Sequence, residues 1–325
     1  MRFSGKTAIL LLCVATLTGC SSRGMSVEEL MTQLSYETTA SVAPSAAAAP
    51  ASAAAPSSSE ELPALAIAPT EAPVQMAALV TPTPRQASPH RGKQKIYAQK
   101  FRDAKPINFG KQHAPHRLPV HGVDVSRWQG NINWQDLREH GANFVYIKAT
   151  DGGDHLDPMF RRNWLAASAS GMRHGAYHFF YWCRTGAEQA DWFIRNVPKE
   201  PGALPPVLDV EWNGQSQCKK RPSREQVIEK MRVFLDKLER HYGQRPIIYT
   251  APDFYKDNLQ GEFLDYPFWL RSVAAHPSKV YPGRPWVLWQ YSGSGLSKGV
   301  GEKIDLNVFN GSERDWHNWI ARNTH

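Results

Sequence analysis

The sequence predicts an α/β fold: a modified barrel of five strand–helix units followed by three strands, preceded by a disordered linker. Three observations lead there. From residue 121 to about residue 260, short apolar runs rich in β-branched and aromatic residues alternate with stretches of helical periodicity. Alternation of that kind builds a parallel sheet with right-handed crossovers. After residue 260, three further strand-like runs are joined by segments rich in Pro, Gly and Ser, which are poor helix formers. Residues 37–96 contain no Phe, Tyr or Trp and are mostly Ala, Pro and Ser, so they cannot bury enough apolar surface to offset chain entropy.

The N-terminal elements come first. Arg2 and Lys6 precede an apolar stretch at 8–17, too short to span a bilayer comfortably and shaped like a signal peptide. It ends in Leu17-Thr18-Gly19-Cys20, similar to a bacterial lipoprotein box, which implies cleavage before Cys20 and lipidation of that cysteine. Residues 1–19 are thus expected to be a signal peptide and 20–117 a lipid-anchored linker. The rest, 118–325, would be a barrel domain. Residues 85–117 hold nine Lys or Arg against one acid, Asp103, which accounts for the whole net charge of +8. Such a segment is either a solvated linker or an attraction to an anionic envelope polymer or lipid surface. Nucleic acid is not an expected partner, since only Tyr97, Phe101 and Phe109 are there to stack bases. Ser rather than Asp follows Cys20, which favours the outer membrane, facing the periplasm.

Within the barrel domain, strand-like runs fall near 121–126, 143–149, 174–181, 206–211 and 246–250, with helical patterns near 134–140, 158–171, 186–197 and 223–242. The last helix is the clearest. Ser223-Arg224-Glu225-Gln226 forms a capping box, Val227, Met231, Phe234, Leu235 and Leu238 make one apolar face, and Gly243 ends it. A short helix near 252–260 precedes the strands at 267–271, 286–291 and 304–309.

Asp209 and Glu211 lie two residues apart in Pro206-Val207-Leu208-Asp209-Val210-Glu211-Trp212. Alternate residues of a strand share a face, roughly 6.6 Å apart along the chain, so both acids project together from the end of an apolar strand. Such placement is costly unless a site uses it. Glycoside hydrolysis does: one acid assists the leaving group and one stabilises the cationic sugar. The spacing suits retaining, inverting and substrate-assisted courses alike. Asp124, in His121-Gly122-Val123-Asp124-Val125, and Asp305, in Lys303-Ile304-Asp305-Leu306-Asn307, add two more acids. Catalytic groups of such barrels sit at the C-terminal strand ends. Asp124, Asp209 and Glu211 fit that rule; Asp305, early in its strand, fits it less well. Trp128, Tyr177, Trp212, Tyr249, Trp289 and Tyr291 lie near the same ends. Each alone is more typical of a core, but as a group they are expected to line a glycan groove. His178 reads as a buried, hydrogen-bonded histidine and not as a catalyst.

These segments, with Tyr146-Ile147-Lys148-Ala149-Thr150, Gly175-Ala176-Tyr177-His178-Phe179-Phe180, Pro246-Ile247-Ile248-Tyr249 and Trp289-Gln290-Tyr291, together resemble the glycoside hydrolase family 25 muramidases, the Chalaropsis-type lysozymes, over about residues 120–311. The resemblance implies a TIM-like barrel that cleaves the β-1,4 bond after N-acetylmuramic acid in peptidoglycan. It implies Glu211 as general acid, Asp209 as its partner, and Asp124 and Asp305 completing the acidic site. No cofactor or metal is expected, and no oligomer. Two departures stand out. The family usually has Glu where this chain has Asp151, and a small residue then an aromatic where this chain has Leu270-Arg271-Ser272-Val273. Cys183 and Cys218 each lie just beyond a strand. They are either a disulfide, suited to an exported protein, or two free thiols. The alternative function is a non-catalytic peptidoglycan-binding envelope lipoprotein.

Overall fold

Burial along the chain follows the expected alternation of strands and helices. The computed structural model describes residues 94–214 and 218–324; the expected signal peptide, Cys20 and the Ala/Pro/Ser-rich stretch lie outside the described residues. Eight strands form the barrel: β1 His121–Val125, β2 Phe144–Asp151, β3 Arg173–Phe179, β4 Val207–Val210, β5 Ile247–Thr250, β6 Phe268–Arg271, β7 Leu288–Leu296 and β8 Ile304–Phe309. They are hydrogen-bonded in chain order, and β8 closes onto β1. Strands β1 to β7 run parallel. β8 runs antiparallel to both β7 and β1. The reversal follows from chain length: residues 297–303 are too few for the crossover that a parallel return requires.

The outer layer holds α1 Trp134–Glu139, α2 Phe160–Ala169, α3 Gly186–Asn196 and α4 Arg224–Tyr242, with α5 Pro252–Phe254 running into a π turn at Tyr255–Leu259. α4 is built as its sequence dictates. The Ser223 side chain accepts from the Gln226 N–H and the Gln226 side chain accepts in return, while Gly243 ends the helix in the left-handed conformation at φ 70°. Its expected apolar face is fully buried. Two further helices were not legible as such: the single turn α6 Pro277–Val280, and α7 Glu313–Asn323. α7 closes the N-terminal end of the barrel. Trp316 stacks on Trp319 at 5.7 Å and meets Phe144 and Phe309, each at 5.2 Å.

Inside the barrel, large and small residues interdigitate. A Cβ on Gly122 would lie 2.5 Å from the Phe144 ring, and one on Gly175 would lie 2.5 Å from Tyr146. Glycine at these two positions of β1 and β3 is what admits the two aromatics of β2.

Residues 94–117, expected as the last part of the linker, instead pack on the barrel. Tyr97 N–H donates to Asn143 Oδ1 at 2.8 Å, and Lys100 N–H donates to His140 O at 2.8 Å. Arg102 and Asp103 pair antiparallel with Leu296 and Gly295. Phe109 meets Trp289 edge-on at 5.0 Å. The aromatics considered above for base stacking are thus anchors for this segment.

Candidate active site

Four carboxylates converge on the end of the barrel where the parallel strands finish. Asp209 lies in β4 and Glu211 is the first residue beyond it, so both share Val207's inward face. Asp124 is the fourth residue of β1. Asp305 joins them because β8 is antiparallel: it stands directly opposite Asp124 in the register. An early position in that strand is at the same end as a late one in its neighbours, which removes the misfit expected from the sequence. Asp124, Asp209 and Glu211 are buried and Asp305 is half-buried.

The acids form two pairs. Asp209 and Glu211 lie within side-chain hydrogen-bonding reach of each other, as do Asp124 and Asp305. Two carboxyl groups so placed hydrogen-bond only when the pair holds a proton. Asp124 is also the end of a relay of oriented amides. Its Oδ2 accepts from Asn307 Nδ2 at 2.7 Å and Gln290 Nε2 at 3.0 Å. Trp269 Nε1 donates to Asn307 Oδ1, and Tyr249 Oη donates to Gln290 Oε1, each at 2.8 Å. Every donor points toward the anionic oxygen. Asp209 lacks such support, and its Oδ1 is buried without a hydrogen-bond partner.

The electrostatics follow from these surroundings. Burial pushes Asp124 up to about 6, against the opposing pull of its donors and of Arg271. Burial and then the charge of Glu211 hold Asp209 well above the carboxylate range, with Lys148 opposing. Asp305 is raised likewise, by burial and then by Asp124, with Arg271 opposing. The cleft can therefore retain protons near neutral pH beside ionised carboxylates.

The six aromatics separate into two sets. Tyr177 and Tyr249 line the cleft with Asp124, Asp209 and Trp269. Trp128 lies in the turn Arg127–Gln129 directly after β1, with the Arg127 guanidinium 4.5 Å from its ring centroid. Trp212 follows Glu211 and donates its Nε1 to Asp257 Oδ2 at 2.7 Å. Trp289 and Tyr291, expected in the groove, are not with the acids. Gln290 between them faces Asp124, so strand alternation turns both outward. Trp289 packs on Phe109 and His276, and Tyr291 Oη is 3.0 Å from His121 Nδ1. Gln290, Asn307, Trp269 and Arg271 are the inward residues missed. Counting by twos from Asp305 or Trp269 would have found Asn307 and Arg271. His178 is buried as expected, within 2.8 Å of Thr150 Oγ1 and 3.1 Å of Gln189 Oε1.

Glu211 is held from behind. Trp182 Nε1 donates to its backbone carbonyl at 2.9 Å, and Trp182 itself stacks on Phe254 at 4.9 Å. Cys183 and Cys218 are bonded, with a Cα–Cα distance of 5.8 Å and a sequence separation of 35. The bridge ties the loop carrying Trp182 to the chain beyond Trp212. Closing a loop of that length stabilises by about 4 kcal/mol in the chain-entropy account. The Cys183→Ser/Cys218→Ser variant is expected to melt well below the wild type in calorimetry; an unchanged Tm would show that the bridge contributes nothing to stability.

A separate recess of about 300 Å³, lined by residues including Trp164, Val197, Glu200 and Tyr242, lies at the opposite end of the barrel. Its Glu200 carboxylate is occupied by Trp164 Nε1 at 2.8 Å, and it holds no paired acids.

Comparison with known proteins agrees with this geometry. The profile described as "Glycosyl hydrolases family 25" matches residues 123–300. Lysozyme M1 of Streptomyces globisporus is 35% identical over 205 residues, 59% of this chain and 68% of the relative. The uncharacterized protein YegX of Escherichia coli O157:H7 is 36% identical over 223 residues, 66% of this chain and 78% of the relative. A solved family 25 glycosyl hydrolase from Bacillus anthracis matches with a TM-score of 0.60 and 41% identity, over 63% of this chain and 95% of that one. With the profile spanning more than half of the chain and the acids of that barrel assembled at its mouth, this chain belongs to glycosyl hydrolase family 25.

Proposed function

We propose that the protein is a muramidase that hydrolyses the β-1,4 bond between N-acetylmuramic acid and N-acetylglucosamine in peptidoglycan. The observation that carries this reading is the buried Asp209–Glu211 pair, side by side at the mouth of the barrel. Glu211 donates its proton to the leaving oxygen. As the C–O bond breaks, positive charge develops on the muramyl ring, and Asp209 is the nearest inward carboxylate on the same strand to oppose it or to orient the acetamido group. Asp124 and Asp305 add negative field from the other side. Tyr177 and Tyr249 supply ring faces and hydroxyls for the sugar, and Trp128 extends the groove at its rim. Purified cell walls cast in a gel test the reading: the protein should clear them, whereas a binding lipoprotein would retain the polymer without clearing it.

We further propose attachment to the cell envelope through lipid on Cys20, based on Leu17-Thr18-Gly19-Cys20 after a short basic and apolar leader. Cys20→Ala should move the protein from the membrane fraction to the soluble one or block its processing. A processed variant that stays membrane-bound as before would refute the anchor.

A further inference from the structure

The loops that follow β3 and β4 enclose a recess of about 200 Å³, walled by Trp182, Trp212 and the run Cys218-Lys219-Lys220-Arg221. It adjoins the catalytic strand. Trp212 follows Glu211 in the chain, and Trp182 Nε1 donates to the Glu211 carbonyl at 2.9 Å. The basic wall is held in place at three points. Cys218 is bonded to Cys183, Lys219 Nζ donates to Gly214 O at 2.6 Å, and the Arg221 guanidinium lies 4.9 Å from the Trp212 ring centroid. Lys220 also lines a second recess, of about 390 Å³, together with Glu229 and Lys230. Lys230 Nζ is engaged there by the carbonyls of Trp182 and Arg184 at 2.9 and 2.8 Å.

Three consecutive cations beside a sugar cleft call for a partner. The protein supplies little of one. Asp257 is bound to Trp212 Nε1 at 2.7 Å, and Asp253 lies one turn before it on α5. Among the described residues neither Lys220 nor Arg221 is in an ion pair, and both are exposed. The glycan backbone does not supply one either, because the lactyl group of a muramyl residue loses its charge when it is joined to peptide. The carboxylates of peptidoglycan are on that peptide. We propose that this recess is a subsite for the acidic peptide borne by the muramyl residue, with Lys220 and Arg221 binding its carboxylates against the wall formed by Trp212. The proposal rests on the muramidase reading of the adjoining cleft.

The test compares wild type with K220Q/R221Q on two substrates: intact peptidoglycan, and glycan strands freed of peptide by an amidase, which keep only the lactyl carboxylate. On the intact polymer the double variant should show a KM raised about fivefold at low salt, the scale of two exposed ion pairs, with kcat unchanged. The difference should shrink as added salt screens the exposed charges. On peptide-free strands the two proteins should have the same KM. An equal loss on both substrates, a loss confined to kcat, or no change on either would overturn the proposal. K220E leaves the Arg221–Trp212 contact in place and should raise KM on the intact polymer alone; an unchanged KM would count against the subsite even if the double variant proved unstable in a thermal melt. Sedimentation with either polymer gives a readout without turnover. In the Glu211→Gln background, K220Q/R221Q should weaken binding to intact peptidoglycan by a similar factor and leave binding to peptide-free strands unchanged. Absence of hydrolysis by the wild type would remove the muramidase reading, and the sedimentation result would then decide the peptide subsite by itself.

Discussion

Glu211→Gln will lower turnover on peptidoglycan by about 10²–10⁴-fold, the usual contribution of a general acid, while leaving the fold and the capacity to bind glycan intact. Glutamine keeps the size of the side chain and can hydrogen-bond to Asp209, but it has no proton to transfer to the departing oxygen. Backbone support is unaffected, since Trp182 Nε1 contacts the Glu211 carbonyl and not its side chain. Cell-wall hydrolysis measured beside a thermal melt separates chemistry from folding. Near-normal activity in the folded variant would remove Glu211 from the proton-donor role.

The second large effect belongs to Asp209, and it has two opposite signs. Asp209→Asn should cut activity severely, because the developing cation loses its closest compensating charge. It should also lower the pKa of Glu211 by removing a like charge, carrying the alkaline limb of the pH–rate profile to lower pH. Stability should move the other way. The folded-state pKa values of Asp124, Asp209 and Asp305 lie above those of the unfolded chain. Their favourable contribution is therefore fully present below the unfolded pKa near 3.8 and lost as pH rises through the folded values, about 6 for Asp124. For Asp124 alone, the rise from 3.8 to about 6 corresponds to about 3 kcal/mol. Buried His121 and His178, lowered to about 4, act in the opposite sense as pH falls below 6.5, so the acids' share of the pH slope of Tm is read as the difference between wild type and variant. Asp209→Asn should raise the Tm at neutral pH and flatten that slope, since it removes a buried carboxyl with one unpartnered oxygen. A variant that is less stable than the wild type at neutral pH, with an unchanged slope, would contradict this account of the acid pair.

Much of this architecture is local and therefore legible in the chain. The capping box at Ser223, the apolar face of α4 and the alternation of short apolar runs each depend on a few neighbouring residues, and the described elements match them to within a few positions apart from a longer β7. The inward parity of Asp209 and Glu211 was equally local. What escaped was set by pairing between distant segments. Trp289 and Tyr291 read as groove residues because they fall at the end of a strand-like run at 286–291; the register puts Gln290 inward and turns its two neighbours out. Asp305 looked misplaced because its strand direction was not deduced, although the short 297–303 connection limits it. The segment 94–117 looked like linker because its few aromatics are isolated in sequence, and their partners Asn143 and Trp289 lie far along the chain. Arg271 appeared as an irregularity near the rim, and only closure of the barrel brings it among the acids.

The central claim, a muramidase with its proton donor at Glu211, is tested most directly by the new sugar ends in digested peptidoglycan. Digests of purified peptidoglycan by the wild type and by Glu211→Gln would be reduced with borohydride, and the reduced amino sugars identified after acid hydrolysis. The account predicts muramitol from the wild type and almost none from the variant. Glucosaminitol as the new end, no new ends from the wild type, or muramitol in equal amounts from both proteins would contradict it.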